Sequence, residues 1–115
     1  MILEDIETKL SELGLPVFYG KQRIGASEPW NYIVFARSSN ARSASKHAKT
    51  KHVTVAVIHE NYVDDDYDDV VAEKLCSLPG VRIGDANVTY DYTTKPGTDI
   101  VVEAMVMDFA VCDKR

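Results

Sequence analysis

The chain has 115 residues, 45% of them hydrophobic and 27% charged, with a formal net charge of −5. That length fits one domain, 1–115, of ordinary globular composition. The acidic excess argues against generic nucleic-acid binding, which wants a basic footprint, and no run of about 18 apolar residues marks a membrane span.

The opening residues, Met1 to Glu7, lack the basic and long apolar regions of a secretory signal, so none is expected. Residues 2–13 read as a short amphipathic helix. Ile2, Leu3, Ile6, Leu10 and Leu13 recur at spacings of three and four. Gly14 can take the left-handed turn beyond the last turn, and Pro16 forbids continuation. Val17 to Gly20 then begin a short strand, and 21–29 read as a connection carrying Gly25, Ser27 and Pro29.

Two apolar strands follow, Trp30 to Ala36 and Val53 to Ile58. Both are rich in the β-branched and aromatic residues that suit a pleated, half-buried surface. The second is apolar on both faces, which predicts a central strand. Helices should cover one side, and in so small a domain a neighbouring subunit should cover the other. Between the two strands, residues 37–52 hold five Lys or Arg and two His, with no acid and no large apolar side chain. Such a segment cannot bury itself. It reads as a flexible basic arm over 38–51, and loops this long in a compact domain are usually functional or disordered.

After the second of these strands the sign of the charge reverses. Glu60, Asp64, Asp65, Asp66, Asp68, Asp69 and Glu73 are seven acids with no base among them. Residues 64–78 read as the second helix, with Tyr67, Val70, Val71, Leu75 and Leu78 on its apolar face. Its aspartates are expected at the first turn or cap, where carboxylates accept free N–H groups and oppose the dipole. Pro79 and Gly80 end it. Val81 to Ile83 start another strand, with Gly84 and Asp85 as a turn or bulge. Val88, Tyr90 and Tyr92 alternate with polar residues in a two-residue period. Lys95 to Thr98 form a turn, and Ile100 to Cys112 form the longest strand, which carries Glu103 and Asp108 among apolar neighbours. The fold class expected is α+β. A mostly antiparallel sheet of about five strands carries two helices on one face, in the order α-β-β-β-α-β-β, with the long arm between the second and third strands.

The aspartate cluster invites a metal, since hard divalent cations take several oxygen ligands. No Gly-bearing calcium loop follows, however, and the twelfth position counted from Asp64 is Leu75. His47, His52 and His59 lack zinc-enzyme spacing, and no serine stands in a nucleophile elbow. Cys76 and Cys112 lack CxxC spacing and are expected as reduced core thiols. No phosphate-binding glycine loop is present. No enzyme activity, catalytic residue, cofactor or metal is therefore expected.

Three readings of the basic arm stay open: a plain surface loop, a phosphate-contacting segment, and an inter-subunit arm. Its candidate contact residues are Arg37, Arg42, Lys46, His47, Lys49 and Lys51. Phosphate contact would make the chain a small nucleic-acid-binding protein with salt-dependent, sequence-blind affinity. An inter-subunit arm has a ready acceptor on another copy in Asp64, Asp65, Asp66, Asp68 and Asp69. Contacts between two different patches close into rings when the rotation permits.

The layout resembles the tail terminator, or tail-completion, proteins of long-tailed bacteriophages. The resemblance lies in size and element order: the helix ending at Gly14 to Pro16, the long-armed hairpin of Trp30 to Glu60, the acidic helix ending at Leu78 to Gly80, and the closing meander to Phe109. It covers nearly the whole chain. It implies a structural virion protein forming a ring, commonly a hexamer, at the head-proximal end of the tail tube. There such proteins stop tube growth and join tail to head. The partners implied are further copies, the tail tube protein and the head connector, with DNA passing through the lumen and no membrane. The location implied is the tail or neck of the virion, after assembly in the host bacterial cytoplasm.

Overall fold

The computed structural model describes residues 2–21, 30–42 and 48–114. Helix α1 spans Ile2–Ser11, with Glu4 and Asp5 in its first turn and Lys9 in its last, each charge opposing the helix dipole. Ile6 and Leu10, one turn apart, are fully buried. Gly14 turns the chain at φ 89°, a conformation that costs a residue with a Cβ. Strand β1, Val17–Tyr19, follows.

Strands β2, Tyr32–Arg42, and β3, Ala48–Glu60, form an antiparallel hairpin. Helix α2 is Tyr67–Cys76. Strands β4, Val81–Thr94, and β5, Val101–Lys114, close the chain. The sheet has five strands in the order β1-β2-β3-β5-β4. Only β1–β2 is parallel, and β3 takes the centre that its apolar faces predict. The fold is α+β, with the element order expected from the sequence.

The ladders assign each face. Ile33 and Phe35 stand beside Val57 and Val55, and these beside Met105 and Met107; Val53 meets Phe109. This face is buried under α1 and α2, whose Ile6, Leu10, Val71 and Leu75 join the same cluster. On the opposite face stand Val34, Ala36, Ala56, Ile58, Ala104 and Val106, which are half-buried and which, among the described residues, no helix covers.

Three boundaries and one thiol depart from expectation. Of the stretch read as a loop over 38–51, residues 38–42 and 48–51 are strand: Asn40 lies opposite Lys51 and Arg42 opposite Lys49, and β5 runs along the other side of β3 with Lys114 opposite Ala48. A polar segment holds strand form because β3 finds ladder partners on both of its sides and β2 finds them on one, which composition alone does not reveal. Residues 43–47 lie outside the described residues. Helix α2 begins at Tyr67, so Asp64 to Asp66 precede it, and Asp66 at the cap makes no side-chain capping bond. Val81 to Thr94 is one strand interrupted by register shifts between Ile83 and Thr89, not two pieces. At that irregularity a Cβ on Gly84 would meet the Asp108 carboxylate, so a larger residue there would displace that side chain. Cys76 is exposed rather than a core thiol, because it falls on the solvent side of α2. Cys112 has only its backbone position described.

Phe109 is fully buried where β5 meets β3 and both helices. Replacing it with alanine is expected to cost about 3–5 kcal/mol in urea denaturation, through lost burial and a residual cavity. Val101→Ala, at an exposed position, should stay within about 0.5 kcal/mol.

Candidate functional site

The basic residues sit at one end of the sheet. Arg37 is exposed, and its Nε donates to the Tyr19 hydroxyl at 3.1 Å. That single bond orients the guanidinium and leaves its other donors outward. Lys51 is half-buried. Arg42 and Lys49 are placed opposite each other by their backbones. Lys46 and His47 lie outside the described residues. His52, at the root of the same limb, places Nδ1 3.2 Å from Asp108 Oδ2.

The acids sit at the other end. Asp64, Asp65, Asp66 and Asp69 are exposed and Asp68 is half-buried, all around the start of α2. Beside them run the tyrosines of β4. Tyr90 and Tyr92 stand opposite Met105 and Glu103, hence on the helix side of the sheet. They are 41% and 65% exposed, too much for core residues. Partial burial pushes the Tyr90 hydroxyl pKa up, and the charges of Asp68, Glu103 and Asp65 add to that. Tyr92 is raised first by its hydrogen bond to Glu103. The aspartates and the tyrosines therefore form one continuous acidic, aromatic surface, with exposed Val101 near it.

The two surfaces cannot meet within one copy. The longest dimension of the chain is 52 Å. Along the β3–β5 ladder the basic end is marked by Ala48 opposite Lys114 and the acidic end by Glu60 opposite Val102.

Two carboxylates hold the acidic end in shape, and the partners of neither are evident from residue spacing. Glu60 belongs to the acid run in sequence, yet it is paired. Its Oε2 accepts from the Trp30 backbone N–H at 2.7 Å and from Lys95 Nζ at 3.0 Å. Lys95 is buried, at 6% exposure, so the β4–β5 turn is tied to the ends of β2 and β3. The Glu60 N–H in turn donates to Asn31 Oδ1. Buried Glu103 accepts from the Val63 N–H at 2.8 Å and fixes the lead into α2. The one sequence signal was a charged residue inside an apolar strand, since a buried carboxylate must find donors.

A cavity of about 190 Å³ between the segment after α1, the end of β3 and the start of α2 is lined by Leu13, Leu15, Val57, His59, Val63, Asp64 and Tyr67. His59 Nδ1 lies 2.8 Å from the Glu60 carbonyl, which fixes the proton there. Burial raises the Tyr67 pKa, and Asp64 adds to the shift, so its phenol stays neutral. Among the described residues, no group of three or more His, Cys, Asp or Glu could hold a metal ion. Among the described residues no helix is long and apolar enough to cross a membrane.

No family model and no curated protein matches the chain. Several solved structures match; one of them is similar over 96% of this chain and 92% of its own length, at 16% identity and a TM-score of 0.48. A likeness of that degree carries no weight for function.

The Trp30 N–H, then Lys95, hold the Glu60 carboxyl below its ordinary value of 4.5. A lowered folded-state pKa adds stability above the unfolded value, and that stability is lost as pH falls through the folded value. Glu60→Gln should therefore lower the thermal midpoint near neutral pH. The gap to wild type should narrow as pH drops below 4.5. Thermal melts of both proteins across that range check it; a gap that is constant with pH would remove the ion pair from the explanation.

Proposed function

We propose that this chain is a structural assembly protein of a phage tail, of the tail terminator or neck type, that works as a ring of identical copies. The observation that carries the reading is the separation of charge along a rigid sheet. A basic limb built on β2 and β3 lies at one end and an acidic, tyrosine-bearing surface at the other, with no route between them inside one copy. Opposite patches on one rigid body favour head-to-tail contacts, and such contacts close into rings or run on as filaments.

The sheet supports the same reading. Its helix-free face carries Val34, Ala36, Ala56, Ile58, Ala104 and Val106. Alanine and valine at half-buried positions suit close packing against a neighbour or a tube, and a face made for water alone would alternate polar residues there. In the ring, the basic limb would meet the next copy or the tail tube, and the other rim would meet the head connector. The role needs no catalytic group: the ring ends tube growth by covering the last tube subunits.

Size-exclusion chromatography with light scattering, followed by negative-stain microscopy, tests this. The expected result is an annular particle of several copies, in solution or on purified tail tubes. A chain that stays monomeric at high concentration and leaves tubes uncapped would overturn it. Tight, salt-sensitive binding to duplex or single-stranded DNA by such a monomer would favour the nucleic-acid reading of the basic limb.

A further inference from the structure

The five-stranded order leaves two edges. On one side β1 covers only Ile33 to Phe35 of β2. Among the described residues, no strand lies on the outer side of Ala36 to Arg42. On the other side, among the described residues, β4 pairs only with β5. Its first half is broken by register shifts between Ile83 and Thr89, the kind of irregularity that blunts an edge. Its second half, Thr89 to Thr94, is a regular ladder opposite Val106 to Val101. That half reads Thr-Tyr-Asp-Tyr-Thr-Thr. It has strong strand formers, one charge and no proline, so it lacks the usual protection of an edge.

We infer that the Thr89–Thr94 edge of β4 is a strand-addition site, and that its occupant is the Ala36–Arg42 limb of β2 from a second copy. The inference rests on the ring reading above and names the contact that would join its subunits.

Three observations select this occupant. The first is charge. The limb carries Arg37 and Arg42 and no acid, while Asp91 lies within the β4 edge and Asp65, Asp68 and Glu103 lie close enough to act on Tyr90. The second is sidedness. Arg37 stands opposite Val53 on the helix side of the sheet, and Tyr90 and Tyr92 stand on that same side. A sheet continued from copy to copy, helices all on one side, puts the exposed guanidinium next to the tyrosines and acids. Arginine stacks on aromatic faces and pairs with carboxylates at once. The third is direction. β2 and β4 run opposite to each other within one copy, because each step from β2 through β3 and β5 to β4 is antiparallel. A rotational repeat therefore sets the new pair antiparallel, like its neighbours. The two stretches are offset along the strands, so a closed repeat tilts its strands against the ring axis, as barrels do.

A charge-swap series tests the contact. Arg37→Glu with Arg42→Glu makes one variant, and Asp65→Lys with Asp68→Lys and Asp91→Lys makes the other. Thermal melts establish that each is folded. Each alone should weaken self-association at least about tenfold by light scattering and sedimentation. The five changes together should restore it to within about threefold of wild type, because the signs are again opposite. Particles that form unchanged in either variant would overturn the inference and leave the ring reading standing. Loss and rescue of association in open filaments or simple pairs would uphold the contact and overturn the closed ring. Wild-type protein that never self-associates would overturn both.

Discussion

The structure depends on the ladder between β3 and β5. It runs unbroken from Ala48 opposite Lys114 to Glu60 opposite Val102, and every other element is placed by it. β2 and β4 attach to its two sides, β1 attaches to β2, and both helices lie on the face it shares through Val53, Val55, Val57, Met105, Met107 and Phe109. Two antiparallel strands of this length form a stiff ribbon once one face is buried. That stiffness carries basic residues to one end and acidic residues to the other and keeps them apart. Chain entropy opposes such an extended polar limb, and the limb is held because β5 supplies a third strand beside β2 and β3.

The same ladder explains why polar groups appear where they do. At the acidic end, where β2 begins, β3 ends and β4 turns into β5, several backbone N–H groups and a buried lysine need partners. Glu60 serves Trp30 and Lys95, and Glu103 serves Val63. Carboxylates that look like surface charge in the sequence are thus structural, whereas Asp64, Asp65 and Asp69 remain exposed. Acids at this end divide into those that hold the fold and those that face outward.

Much of the fold was legible because periodicity and turn chemistry agree. The spacing of Ile6 and Leu10, the stop at Gly14 and Pro16, and the two-sided apolar run of Val53 to Ile58 each have one good structural solution. The same holds for the Lys95 to Thr98 turn. The basic limb was legible in composition but not in conformation. Nothing in Ser38 to Ala41 marks a strand, since the third strand that stabilises it lies far away in sequence. Glu60 with Lys95 escaped for a similar reason: a pair 35 positions apart leaves no local pattern. The candidate surface was half visible. The acids stood out as a run, while Tyr90 and Tyr92 looked like an ordinary alternating strand. Only the sheet order shows that their strand is an edge.

The central claim is that edges and charges unmatched within one copy are matched by another. Hydrogen exchange read by mass spectrometry, at a dilution where the chain is monomeric and at a concentration where it is assembled, addresses this most directly. The account predicts that backbone amides in Ala36 to Arg42 and in Thr89 to Thr94 exchange more slowly in the assembly, while those of the β3–β5 ladder are slow in both states. Equal exchange of the two edge stretches in monomer and assembly would contradict it.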